Sequence, residues 1–266
     1  MAAPRTLPEP SDPPLRTLDL SMGQAGYTDE GEGPAIVCIH GLPGSHRDWR
    51  YLAPCLGGFR LVRLDMPGFG ASEGCGISAS FETRTRFVIE VIERLSLTSP
   101  LIIGHSMGGA IAAMCARKAP ERIAGIGLIA SPGLRRHRGA PPQRALLFSW
   151  LTLFPVTSWA LKGSLTRAFA RAGFPASLTH KARVAALRQV AKYDTAVVAD
   201  AMRHVRVPTL VAYAEDDPLV ETDISAELAE LCPRGPRLPF STGGHNTQKS
   251  RCWEIADAIR AWDLWS

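Results

Sequence analysis

Short apolar runs alternate with amphipathic stretches along most of this chain, and their spacing sets out its elements. Leu15 to Met22 and Gln24 to Thr28 read as two edge strands joined by a turn, with residues 29–34 as a second turn. Ala35 to Ile39 is a continuous apolar run, the pattern of a parallel strand covered on both faces. A helix is expected from His46 to Leu56, with Ser45 as its N-cap and Trp49 and Leu52 on one face. Phe59 to Leu64 reads as the next strand. Phe81 to Leu95 reads as a helix whose Val88, Val91, Ile92 and Leu95 keep the helical period. Leu101 to Ile103 is a buried strand, Ala110 to Lys118 a helix, and Ile123 to Ala130 a further strand. Strands alternating with helices imply an α/β fold, a mostly parallel sheet with helices on both faces.

The rhythm breaks after Ser131-Pro132-Gly133. Residues 133–206 are helical in composition and contain no strand pattern until Val207 to Tyr213 resumes the sheet, so they read as an inserted helical cap. An acidic turn, Glu215-Asp216-Asp217, follows; then come a helix near Asp223 to Leu231, a strand around Arg237 to Phe240, a Gly-rich loop at residues 241–245 and a last helix, Trp253 to Trp262. The expected organisation is a tail at 1–14, a core made of 15–132 and 207–266, and a cap at 133–206.

Composition adjusts this picture in a few places. The chain has 266 residues, 45% hydrophobic and 21% charged, enough to bury one sizeable core. Met1 to Pro14 is rich in proline with almost no apolar pattern, which reads as a loose tail rather than a signal peptide. The longest apolar run, Ala145 to Val156, is broken by Ser149 and Thr152 and is too short to cross a bilayer. Within it Phe148, Trp150, Leu151 and Phe154 are expected either to line a pocket or to hold the cap to the core. The six cysteines are scattered singly, without metal or redox spacing, so reduced thiols and a cytoplasmic location are expected, with Cys38 and Cys115 as small core residues.

Charge is divided unevenly. The formal +5 separates into +11 for residues 133–206 and −6 for the remainder. Such a surface suits anionic partners: a carboxylate-bearing ester, an acyl group on an acidic carrier protein, or a phospholipid surface. It equally serves to keep cap helices soluble. Nucleic acid is not expected, because no recognised binding motif accompanies the charge.

Candidate chemistry centres on Gly104-His105-Ser106-Met107-Gly108, set between a strand and a helix. The spacing fits a tight strand-to-helix turn that projects the Ser106 hydroxyl from its apex, beside the positive end of the helix dipole. A serine hydroxyl needs a base to take its proton and a third group to orient that base. Of the seven histidines, only His245 lies in a Gly-rich loop after the last strand. His40 sits in a turn, His46 begins a helix, His105 adjoins the serine, and His137, His180 and His204 lie in the cap. The orienting acid is expected among Glu215, Asp216 and Asp217.

At this point the chain resembles the α/β-hydrolase superfamily, from about residue 15 to the end. The motifs carrying the resemblance are His40-Gly41-Leu42-Pro43-Gly44, Asp65-Met66-Pro67-Gly68-Phe69-Gly70-Ala71-Ser72, the serine turn, Glu215-Asp216-Asp217-Pro218-Leu219-Val220 and Gly243-Gly244-His245. The resemblance implies an eight-stranded, mostly parallel sheet with an inserted helical cap. It implies Ser106 as nucleophile, His245 as base and Asp217 as acid, with Asp216 as the fallback. It further implies the backbone N–H groups of Leu42 and Met107 as oxyanion donors and Asp65 as a residue that pins its loop. No cofactor or metal is implied. The expected activity is hydrolysis of a small-molecule carboxylic ester through an acyl-enzyme. Alternatives are carbon–carbon bond hydrolysis, lipase action on an acylglycerol or lysophospholipid, or a ligand receptor on the same fold. Ser106 argues against epoxide hydrolase and dehalogenase members, which carry an aspartate at the turn, and Asn246-Thr247-Gln248 replaces the aromatic residue several subfamilies carry after the base.

Overall fold

The protein is described here from a computed structural model covering residues 5–72, 74–75, 80–140, 145–171 and 178–265. Residues 1–4 of the N-terminal segment and Arg144 of the insertion lie outside the described residues. The strands are β1 (Arg16–Leu20), β2 (Gly23–Glu30), β3 (Ala35–Ile39), β4 (Arg60–Leu64), β5 (Leu101–His105), β6 (Gly125–Ile129), β7 (Thr209–Ala214) and β8 (Arg237–Phe240). They form one eight-stranded sheet in the order β1-β2-β4-β3-β5-β6-β7-β8. β1 and β2 are antiparallel to each other, and β2 to β4; from β4 to β8 every pairing is parallel.

Each central strand is apolar throughout because both faces are covered. On β3, Val37 and Ile39 join one core with Val62, Ile102 and Leu128, while Ile36 and Cys38 join the other with Leu61, Ile103 and Leu210. The first face is roofed by α1 (Phe81–Arg94), α2 (Met107–Lys118) and α7 (Thr195–Arg203), which contribute Phe87, Val88, Val91, Ala113, Val198 and Met202. The second is covered by Trp49, Leu52 and Leu56 and by Ile255 and Ile259 of α10 (Cys252–Arg260). Each such buried Ile, Leu or Val contributes about 1.5–3 kcal/mol, so the strand ends are the firmest platform in the molecule for a site. α8 (Thr222–Leu231) and α9 (Thr247–Ser250) complete the second half.

Three expectations are corrected. The helix read from His46 to Leu56 is two 3-10 turns, His46–Trp49 and Ala53–Cys55. Pro54 lacks the N–H a continuous helix needs there, although Ser45 does cap the first turn through Arg47 N–H. Residues 5–14 form no helix or strand, yet they are tied to the core: Ser11 N–H donates to Arg50 O at 2.8 Å, Trp253 Nε1 to Thr6 O at 2.8 Å, and Arg47 pairs with Asp12 at 3.1 Å. The polar and backbone groups of this segment, absent from a hydrophobicity pattern, hold it.

The third correction concerns the apolar stretch after residue 144. Between β6 and β7 the described chain forms α3 (Ala145–Leu151), α4 (Pro155–Ala160), α5 (Lys162–Arg171) and α6 (His180–Ala191) before α7. Phe148, Trp150 and Phe154 are exposed at 39%, 55% and 48% instead of lining a pocket or packing on the core. α3 and α5 lie on α6, whereas α7 packs on α2 as part of the sheet's own layer. α6 reaches the sheet's rim through Gln189 Nε2, which donates to Pro67 O at 3.2 Å.

Candidate active site

The serine turn is built from the glycines around it. Ser106 has φ +52° and ψ −122°, a conformation side chains rarely adopt, between the end of β5 and the first residue of α2. A Cβ on Gly104 would strike the Gly108 carbonyl, one on Gly108 the Ile39 carbonyl, and one on Gly109 the Ser131 side chain. The turn is anchored by Ser106 N–H to Ile129 O and Gly109 N–H to Ser106 O, both at 2.9 Å. Met107 N–H lies in the first turn of α2, where helical N–H groups find no acceptor within the helix.

The loop after β3 lies directly against this turn. A Cβ on Gly41 would stand 3.1 Å from Ser106 Cβ and 2.9 Å from His105 Nδ1, so only glycine permits the approach. His40 fixes the loop from below: its Nδ1 lies 2.6 Å from Gly41 O and its Nε2 accepts from Met66 N–H at 2.9 Å. Those partners require the neutral tautomer with the proton on Nδ1, and burial pushes its pKa down to about 4. Leu42, two residues on, is half-buried against the first core.

Asp217 and His245 meet. His245 Nδ1 lies 2.9 Å from Asp217 Oδ2 and 3.1 Å from Oδ1. Asp217 is buried and its Oδ1 also accepts from the N–H groups of Leu219 and Val220 at 2.8 and 3.1 Å. Burial works to raise its carboxyl pKa, but the His245 contact and the two backbone donors outweigh it and hold the group below the usual carboxylate range. Asp216 does a different job: its Oδ1 accepts from Gly243 and Gly244 N–H at 2.8 and 2.7 Å, fastening the loop that carries His245. Gly244, at φ +62°, makes the sharp bend there.

His105 links the two halves. Its Nε2 donates to the His245 carbonyl at 2.8 Å and the two rings stand 4.9 Å apart. Burial, then the neighbouring His245, pushes the His105 pKa down to about 3, so it acts as a neutral strut between the serine turn and the histidine loop. With Nδ1 of His245 held by Asp217, Nε2 is the ring atom left for a hydroxyl proton. No hydrogen bond joins Ser106 Oγ to that imidazole among the described residues; hydrogen bonds of this kind are often long without substrate and tighten in the complex.

Asp65 lies outside this constellation. Its Oδ1 accepts from His46 N–H and Nδ1 at 2.8 and 2.9 Å, and its Oδ2 from Ala71 N–H at 2.9 Å, so it pins the loop after β4. Among the described residues no three His, Cys, Asp or Glu side chains gather as a metal group, and no helix is long and apolar enough to cross a membrane.

One residue escaped the sequence reading. Arg84 on α1 is only 2% exposed, and its Nη2 donates to Pro67 O at 3.0 Å, the carbonyl also used by Gln189. No carboxylate faces it among the described residues, and burial pushes its pKa down to about 9. Arg84 Nη1, Gln189 Oε1 and the Tyr193 hydroxyl are buried without hydrogen-bond partners among the described residues. Tyr193 stacks edge-on to Phe81, one turn from Arg84, and to His137, whose Nδ1 lies 3.2 Å from Leu219 O. The signal was present in the pattern: Arg84 stands four residues before Val88, on the apolar stripe of its helix.

The strand order, the strained serine turn at the end of β5 and the parallel core define an α/β-hydrolase fold. A family model described as alpha/beta hydrolase fold matches residues 34–155, and an alpha/beta hydrolase fold protein from Burkholderia ambifaria shares the fold over 92% of this chain and 96% of that one with a TM-score of 0.75 at 22% identity. It is 34% identical over 103 residues to the dihydrolipoyllysine-residue acetyltransferase component of an acetoin cleaving system from Pseudomonas putida, a match that covers 38% of this chain and 28% of that one. Against the (E)-2-((N-methylformamido)methylene)succinate hydrolase of Acinetobacter baylyi it is 25% identical over 259 residues, covering 93% and 97%. An esterase from Thermogutta terrifontis, solved with malate bound, shares the fold with a TM-score of 0.72 at 20% identity, covering 93% of this chain and 97% of that one.

Proposed function

We propose that this chain is a serine hydrolase that cleaves carboxylic esters carrying a negative charge. The observation that carries the reading is the pair made by buried Asp217 and half-buried His245, tied through His105 to the strained turn that presents Ser106. In the reaction His245 Nε2 takes the Ser106 proton as Oγ attacks the ester carbonyl. Asp217 stabilises the imidazolium that forms. The N–H groups of Leu42 and Met107 hold the tetrahedral oxyanion, each contributing on the order of 10²–10³ in rate. The imidazolium then gives its proton to the departing alcohol, and water, activated by the same imidazole, releases the acid and restores Ser106.

The helices of residues 133–206 act in this reading as a cap over the acyl and alcohol groups. Three features support a substrate bearing a carboxylate: Arg84, a buried guanidinium without a counter-charge; the basic excess of the cap; and the full-length similarity to a succinate-derivative hydrolase. An unpaired buried cation costs several kcal/mol, and an anionic ligand offsets that cost.

Fluorophosphonate labelling tests the reading. The wild-type protein is expected to be labelled at Ser106 and to hydrolyse a p-nitrophenyl ester, whereas Ser106→Ala takes no label and loses activity by a factor on the order of 10⁶. A folded wild-type protein that resists the label, as a receptor on this fold does, overturns it.

A further inference from the structure

The corner formed by α3 and α4 is turned inside out relative to the rest of the molecule. Leu146, Leu147, Trp150, Leu153, Val156 and Trp159 are exposed at 55–79%. The other large apolar side chains exposed among the described residues, such as Leu7, Leu15, Val197 and Leu231, are scattered singly. The polar groups of the corner point inward. Thr152 is buried, its hydroxyl and carbonyl both taken by Arg188 of α6; the Thr157 hydroxyl caps carbonyls of the α3–α4 connection; Ser158 Oγ meets His180 Nε2 at 3.2 Å. Trp150 and Phe154 stack edge-on at 5.2 Å between ring centres. The apolar face is therefore held outward by the hydrogen bonds beneath it. A contiguous exposed patch of this kind marks a docking surface.

Charge selects the occupant. From Gly133 to Tyr193 the chain contains no Asp or Glu and eleven Lys and Arg. Lys162 and Arg167, on the α5 helix that follows Trp159, are exposed and face no carboxylate among the described residues. A second copy docking here would bring the same basic side chains against themselves. A small soluble anion satisfies the charge but leaves the tryptophans and leucines wet. Tryptophan and leucine outward, with lysine and arginine at the margin, is the composition of helices that lie in a lipid interface. We propose that α3 and α4 dock this protein on anionic phospholipid bilayers, the apolar corner entering the headgroup boundary and the neighbouring basic side chains meeting lipid phosphates. This inference stands on burial and charge, independently of the hydrolase reading.

Co-sedimentation with vesicles tests it. The full chain is expected to bind vesicles of phosphatidylcholine and phosphatidylglycerol in equal parts at least about tenfold more tightly than phosphatidylcholine alone, with binding weakened by salt. Trp150→Ser with Trp159→Ser is expected to keep the melting temperature, since both side chains are exposed, and to lose about tenfold or more in vesicle binding. Lys162→Glu with Arg167→Glu is expected to remove the preference for phosphatidylglycerol. Ser106→Ala is expected to bind vesicles as wild type does, so failure of the ester chemistry leaves this result readable. Equal binding to both vesicle types, or binding to neither, overturns the proposal. A dimer in light scattering that the tryptophan variant dissociates also overturns it and assigns the corner to a second copy.

Discussion

The rim of the sheet and the α3–α4 corner obey opposite rules. At the rim, between the ends of β3, β5 and β7, each working group is fixed by a neighbour: His40 by Gly41 and Met66, His245 by Asp217 and by His105, Asp217 by Leu219 and Val220. At the corner the hydrogen bonds lie beneath and apolar surface is left to solvent. The first arrangement stores conformational strain inside a rigid frame; the second keeps surface free energy available for an encounter. In the proposed reaction this rigidity would matter, because a misplacement of an ångström can cost about 10²-fold in rate.

The sharpest way to break this contrast is at Asp217. Asp217→Asn keeps the shape but offers the wrong hydrogen-bonding partner to His245 Nδ1, and kcat for ester hydrolysis is expected to fall on the order of 10⁴-fold, as for the corresponding change in a triad protease. Asp216→Ala tests the neighbouring carboxylate, which holds Gly243 and Gly244 and not the imidazole. Its expected loss is about 10- to 100-fold, from a loosened histidine loop, with fluorophosphonate labelling slowed but retained. If the two variants lose activity equally, the division of labour between these acids is wrong.

Arg84→Met sharpens the comparison from α1, whose Arg84 shares the Pro67 carbonyl with Gln189 of α6. The expectation is a drop of roughly tenfold in kcat/KM for a carboxylate-bearing ester and none for its neutral analogue. Its melting temperature is expected to hold or rise, since an unpaired buried charge is replaced by an apolar side chain. Equal losses on both esters would show Arg84 to be structural.

The buried imidazoles predict acid sensitivity. His40 and His105 keep folded pKa values of about 4 and about 3 against an ordinary 6.5, so below that value the unfolded chain takes up protons that the native one refuses. Stability is fully present above pH 6.5 and is lost as pH falls through that window, by up to about 1.4 kcal/mol per pH unit for each histidine. Urea unfolding at stepped pH checks this, and His40→Gln, whose amide can supply both a donor and an acceptor without titrating, is expected to flatten the slope by one proton's share.

Much of the rim was legible in the sequence because backbone demands write themselves as residue types. Gly104, Gly108 and Gly41 sit where a Cβ cannot, and the continuous apolar runs of β3 and β5 mark strands covered on both faces. Asp216 and Asp217 are adjacent and equally acidic; the resemblance pointed to Asp217 with Asp216 as the fallback, and the loop's path puts Asp217 against the imidazole and Asp216 against the backbone of Gly243 and Gly244. The helix expected from His46 to Leu56 failed at Pro54, whose effect outweighed a good apolar face. Residues 145–156 were harder still. An apolar pattern states that a surface seeks cover and is silent on whether the cover comes from the same chain; among the described residues this corner stays exposed.

Gly108 gives the rim one more property. Because the start of α2 rests on the carbonyls of Ile39 and His40, the loop holding Leu42 and the turn holding Ser106 are gauged from a shared footing. Any side chain at position 108 would meet the Ile39 and His40 carbonyls and so displace both segments in one step, which makes this single glycine a joint setting for two loops.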